Sequence, residues 1–208
     1  NYDIDIFQSI IKKITEDNKV KYGEEKKIDI ALRVIADHVR AAVFLISDGL
    51  VPSNNKSGYV IRRILRRASR YAYTELGVKE PYIFNLVDIV AEIYFTTYDE
   101  ITQNLEMIKN LIYSEEKMFL KTLSHGLKRI NKYFVDKKNI SGDQIFELYD
   151  TYGFPYDLTK DILIENGVIP DEKNFRKALE IQKNRSRAVG KIVFGDWTIV
   201  SDIQSCGF

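Results

Sequence analysis

Apolar positions recur at helical spacing along most of this chain. Ile4, Phe7, Ile10, Ile11 and Ile14 lie three and four residues apart behind Asp3, which predicts an amphipathic helix capped by that aspartate. Asn18 to Lys27 is polar, contains Gly23 and reads as a loop. Ile28 to Ser47 is apolar on most sides, the pattern of a central helix, and Asp48-Gly49 stops it. Leu50 to Ser57 reads as a loop by its Pro, Ser and Asn content. Gly58 to Leu76 is a third helix, ended by Gly77, and Pro81 opens a fourth that runs to about Tyr98.

The longest element expected runs from Asp99 to about Lys137. Ile101, Leu105, Ile108, Ile112, Phe119, Leu123, Leu127, Ile130 and Phe134 form its narrow seam. Gly126 is a weak point in that helix, worth about 1 kcal/mol against Ala. Ser141-Gly142-Asp143 opens a short helix to Tyr149, and Asp150 to Tyr156 turns because Gly153 and Pro155 break helix. Two more helices follow, Asp157 to Glu165 and Asp171 to about Ala188. Past Gly190 the period changes: Ile192 to Phe194, Gly195-Asp196, then Trp197 to Val200 reads strand, turn, strand. The expected fold is all-α, a mainly helical bundle with one long helix, followed by a short β-hairpin that begins a β module.

Composition narrows the function classes. At 208 residues, 45% hydrophobic and 29% charged, the chain has the make-up of an ordinary globular protein. Lys+Arg 31 against Asp+Glu 30 excludes a globally basic nucleic-acid binder and leaves room only for a local patch. Cys206 is the only cysteine, so no disulfide framework or CxxC site exists. His38 and His125 cannot form an HxxxH metal pair. No apolar run reaches the length of a membrane span. The start at Asn1, with neither Met nor a signal peptide, predicts an internal stretch of a longer cytoplasmic protein.

The local patch lies between Asp48 and Glu75. No acid falls there, while Lys56, Arg62, Arg63, Arg66, Arg67 and Arg70 do. Arg62, Arg66 and Arg70 stand at i, i+4, i+8 with Arg63 and Arg67 beside them, and Ile61, Ile64, Leu65, Ala68 and Ala72 take the opposite side. Guanidinium forks match phosphate oxygens, and heads about 6 Å apart approximate the phosphate spacing of a strand. The alternative is a face whose arginines pair with acids elsewhere in the fold. The preceding Ser53, Asn54, Asn55, Lys56 and Ser57 offer amides and hydroxyls suited to base edges and sugars, or simply to a turn. Asp150 ends a helix where a carboxylate opposes the dipole; it serves an Asx-turn or is aimed at a ligand. His38, beside Asp37 in an apolar helix, reads as a hydrogen-bonded core histidine. No Ser/His/Asp set, glycine-rich phosphate loop or acidic metal cluster stands out, so a free-standing enzyme is poorly supported.

The blocks ALRVIADHVRAAVFLISDGLVPSNNKSGYVIRRILRRASRYA, SEEKMFLKTLSHGLKRI, LYDTYGFPYDLT and KALEIQKNRSRA resemble, in order, those of alanyl-tRNA synthetases. The opening NYDIDIFQSII resembles the segment after the third class II motif in that family. The resemblance implies a parent enzyme that charges tRNA with alanine using ATP and Mg²⁺, with zinc in its editing module. The adenylation and editing motifs have no counterpart here, so no catalytic residue, cofactor or metal is expected in this chain. The implied division is 1–49, a helical segment after the catalytic core, 50–189, an acceptor-stem recognition domain, and 190–208, the start of a β-barrel linker.

The family reads a G·U wobble pair in the acceptor stem. There the guanine 2-amino group stands free in a wide, shallow minor groove beside the uracil 2-carbonyl. A carboxylate can only accept and an amide can donate. By motif position the resemblance assigns Asp150 to the guanine amino group and Asn54 to the uracil side. Lys56, Arg62, Arg63, Arg66, Arg67 and Arg70 would hold the stem backbone, though adjacent arginines diverge by about 100° and some would pair with acids such as Asp37 or Asp48. Met118 departs from the family, where many relatives carry Arg before the Phe of that block. The expected partners are alanine tRNA and the remaining domains of the parent, with no membrane and no DNA. The rival reading is a helical scaffold whose basic helix docks an acidic partner or another domain.

Overall fold

A computed structural model describes residues 2–54, 56–136 and 140–189, and every described element is helical. The chain builds α1 (Asp5–Asn18), α2 (Lys26–Ser47), α3 (Lys56–Glu75), a 3₁₀ turn (Ile83–Leu86), α4 (Val87–Tyr94), α5 (Asp99–Gln103), α6 (Leu105–Asp136), α7 (Gly142–Asp150), α8 (Tyr156–Glu165) and α9 (Glu172–Val189). No helix among the described residues is long and apolar enough to cross a membrane. The hairpin expected after Gly190 lies outside the described residues.

Two hydrophobic cores organise these helices. The first gathers α1 to α5 around α2, whose Leu32, Ile35, Val39, Val43 and Ile46 are buried. Ile61, Leu65, Ala68 and Ala72 bring the apolar side of α3 into it, and Ile108 and Ile112 bring the first part of α6. The second core takes Phe119, Leu123 and Ile130 of α6 with Ile145 and Leu148 of α7, Phe154 of the turn before α8, Leu158 and Leu163 of α8, and Phe175 of α9. Each fully buried side chain of this size contributes about 1.5–3 kcal/mol. The long helix α6 is the beam shared by both cores. α2 and α3 share one interior, and the change of core falls along α6 between Ile112 and Phe119.

Local differences from the pattern have local causes. The N-cap of α1 is Ile4 and not Asp3, and Asp5 Oδ1 accepts from the Ile6 N–H instead. The expected single helix from Asp99 breaks at Asn104, whose side-chain amide donates to Glu100 O at 2.9 Å and competes with the ladder. Ser141 opens α7 as expected, with a capping box to Gln144. Gly126 is a contact rather than a weak point: a Cβ there would lie 2.0–2.7 Å from three ring atoms of fully buried Phe154. The missing side chain lets the turn after Asp150 seat its Phe against α6.

Candidate nucleic-acid interface

The loop before α3 folds back on the helix it introduces. The Ser53 N–H donates to Gly58 O at 3.1 Å. Gly58 permits this, since a Cβ there would fall 2.2 Å from Ser53 Oγ and 2.4 Å from Val51 O. The fold-back leaves Asn54 exposed beside the basic face of α3. Arg62 Nη1 donates to Asn54 Oδ1. A guanidinium has no acceptor, so this bond turns the carbonyl of the amide toward Arg62 and leaves the NH₂ as its outward group.

The arginine row splits into two sets by direction. Arg62 and Arg66, one turn apart, each donate Nε–H to the same Oε1 of Glu115 on α6, at 3.0 and 2.8 Å. The Glu115 side chain is only 5% exposed. The second set faces α8, where Asp157, Asp161 and Glu165 recur every four residues. Arg63 lies 3.5 Å from Asp157, Arg67 3.6 Å from Asp161, and Arg70 forks Glu165 through two bonds of 2.7 and 2.6 Å. Tyr59 O–H donates to Asp157 at 2.8 Å and Tyr71 O–H donates to Glu165 at 2.9 Å. Burial pushes the Glu165 carboxyl up, but Arg70 and Tyr71 outweigh it and hold the group below the usual carboxylate range.

Ion pairs thus engage all five arginines of the row. The Arg70 side chain is 3% exposed and both its terminal nitrogens bond Glu165, so it ties α3 to α8. Arg62 and Arg66 are committed inward to Glu115. Arg63 and Arg67 keep side chains 57% and 42% exposed beside their contacts to Asp157 and Asp161, and Arg67 also interacts with the Tyr71 hydroxyl. The side chain of Lys56 lies outside the described residues. The acidic partners come from α6 and α8 rather than from Asp37, which sits 3.3 Å from the ring of His38. Burial lowers the His38 pKa, against the opposing pull of Asp37.

Asp150, the last residue of α7, is exposed, and its Oδ1 accepts from Gln182 Nε2 of α9 at 3.2 Å. The turn it begins runs through Gly153, whose φ of 63° suits glycine, to Pro155 at the head of α8. Pro155 and Leu158 form one wall of a cleft whose other wall is Asn54, Arg62 and Arg66. The two loops singled out in sequence thus belong to segments that border one cleft, while the hydrogen bonds of Asn54 and of Asp150 go to different neighbours.

Glu115, Tyr59, Gln182 and the α8 acids escaped the sequence reading. The four-residue spacing of Asp157, Asp161 and Glu165, matching that of the arginines, was the available signal. A buried neighbour, Glu116, accepts from the Ile83 N–H at 3.1 and 3.0 Å and caps the 3₁₀ turn; burial pushes its pKa up to about 7.

Residues 1–204 match the family model of the tRNA synthetases class II (A). The chain is 46% identical to the alanine–tRNA ligase of Christiangramia forsetii over 210 residues, covering 100% of this chain and 24% of that protein. It is 44% identical to the alanine–tRNA ligase of Cytophaga hutchinsonii, with the same coverage, and 45% identical to that of Fervidobacterium nodosum over 95% of this chain and 23% of the relative. The chain thus spans about a quarter of the length of the curated relatives it matches. A match that runs nearly end to end places the chain in the class II (A) tRNA synthetases, the alanyl-tRNA synthetase family.

Proposed function

We propose that this chain is the acceptor-stem recognition part of an alanyl-tRNA synthetase. In this reading the Asn54 amide donates to the uracil 2-carbonyl of a G·U pair and the Asp150 carboxylate accepts from the guanine 2-amino group. The observation that carries the reading is the exposed Asn54 amide, turned by Arg62 so that its donor faces outward, with the Asp150 turn reaching the same cleft. Arg63 and Arg67, the most exposed guanidiniums of the row, join Lys56 as the phosphate contacts. Two or three such contacts give a salt-dependent, sequence-independent share of affinity, and the two base readers add the discrimination.

The longer protein would attach alanine to its tRNA with ATP in the cytoplasm, in contact with this chain through its other domains and without DNA. The longer protein would use Mg²⁺ and zinc; among the described residues of this chain no three of His, Cys, Asp and Glu come together as a metal site.

The Arg70–Glu165 fork favours one part of the rival reading, in which the basic helix docks another part of its own chain. Both roles coexist on α3: one edge docks α8, and the N-terminal end with Asn54 stays open. Binding of a short RNA hairpin with a G·U third pair, compared with its G·C version across salt, tests the proposal. Preference for G·U that survives high salt is expected. Equal affinity for the two hairpins, or binding of neither, refutes it.

A further inference from the structure

We infer that Glu115 is a positioning residue for base reading: it holds Arg62, and Arg62 holds the Asn54 amide with its carbonyl inward and its NH₂ outward. The inference rests on the proposal that Asn54 contacts the wobble pair. Asn54 sits in an exposed loop before α3, and a free amide there would rotate between two orientations of nearly equal shape. Only one presents a donor to a uracil carbonyl. Arg62 selects it, because a guanidinium can only donate. Arg62 would itself be a long mobile side chain, but its Nε–H is anchored 3.0 Å from Glu115 Oε1. The same oxygen takes the Nε–H of Arg66 at 2.8 Å, so one buried carboxylate grips two guanidiniums from the rigid beam of α6. The guanidinium is planar, so fixing Nε fixes the plane in which Nη1 points at the loop.

The arrangement makes a prediction that simple buttressing does not. Removing the charge of Glu115 loosens Arg62 and Arg66 and frees both for phosphate. In E115Q the preference for the G·U over the G·C hairpin should fall at least about fivefold. Affinity for the G·C hairpin should hold or rise, and the salt slope should steepen by about one or two. If Glu115 only supports the fold, both hairpins lose affinity together and the preference stays, which overturns the inference. Should E115Q fail to fold by circular dichroism, R62K breaks the link at its outer end, since an ammonium cannot span Glu115 and Asn54 as a fork. A folded R62K that keeps the full preference overturns it equally.

N54A separates the two levels. If the unmutated chain shows no preference, the functional proposal fails and takes the inference with it. If N54A abolishes a preference that folded E115Q retains, only the inference fails. In the N54A background, adding E115Q should leave the hairpin preference where it is.

Discussion

Substituting Gly126 with Ala puts two magnitudes in opposition. In an isolated helix the change stabilises by about 1 kcal/mol, because Ala is the better helix former. Here the new Cβ would stand 2.0, 2.4 and 2.7 Å from Cδ2, Cε2 and Cγ of Phe154, all inside the contact limit. The ring is fully buried among α6, α7 and α8, so it cannot swing aside without moving its turn. Overpacking of a tight core typically costs 1–3 kcal/mol, and displacing a buried Phe adds to that. The net expectation is a loss of about 1–2 kcal/mol in urea-induced unfolding. F154L in the G126A background should recover part of it, although F154L alone is destabilising, so a double-mutant cycle yields a clear coupling term. The turn that carries Phe154 starts at Asp150, so G126A should also blunt the G·U preference. A G126A chain as stable as the unmutated one, with no coupling to position 154, would refute the reasoning.

Other expectations follow from the paired charges. R70M should cost about 1–3 kcal/mol in chemical unfolding, the range between a buried and a surface pair, since Glu165 keeps a partly exposed side chain. R70M/E165L should be less destabilised than R70M, because no unpaired carboxylate remains; equal losses would contradict a fork. R63Q and R67Q should each lower the salt slope of hairpin binding by about one and weaken G·U and G·C hairpins alike; an unchanged slope would remove these residues from the phosphate contacts. For Glu116, a folded pKa of about 7 against an ordinary value of 4.5 means that the native state holds its proton more tightly. Stability from this group is therefore greatest below about pH 4.5 and is lost as pH rises to 7, by on the order of 3 kcal/mol. The stability of the unmutated chain relative to E116Q should fall across that window, and a difference independent of pH would contradict it.

The helices were legible where burial and propensity agree. The apolar run of α2 read as a central helix, and Ser141-Gly142-Asp143 marked the start of α7. Asn104 was not legible as a break, because Ile101, Leu105 and Ile108 carry the seam across it. Gly126 looked like a defect because its reason, the ring of Phe154, lies 28 residues away in sequence. The arginine row was legible as a basic face, but not its division, since its partners Glu115 and the α8 acids lie some 49 to 95 residues downstream. Asn54 and Asp150 were nominated by family resemblance; what the fold adds is the hydrogen bonding that orients each of them.

Base reading by Asp150 is tested most directly by deleting the group it is said to contact. A hairpin with inosine in place of guanine at the wobble pair lacks only the 2-amino group. The unmutated chain should bind G·U about five- to a hundredfold more tightly than inosine·U. D150A should bind the two hairpins equally. A D150A chain that still prefers G·U over inosine·U by the unmutated factor would show that the amino group is read by something else.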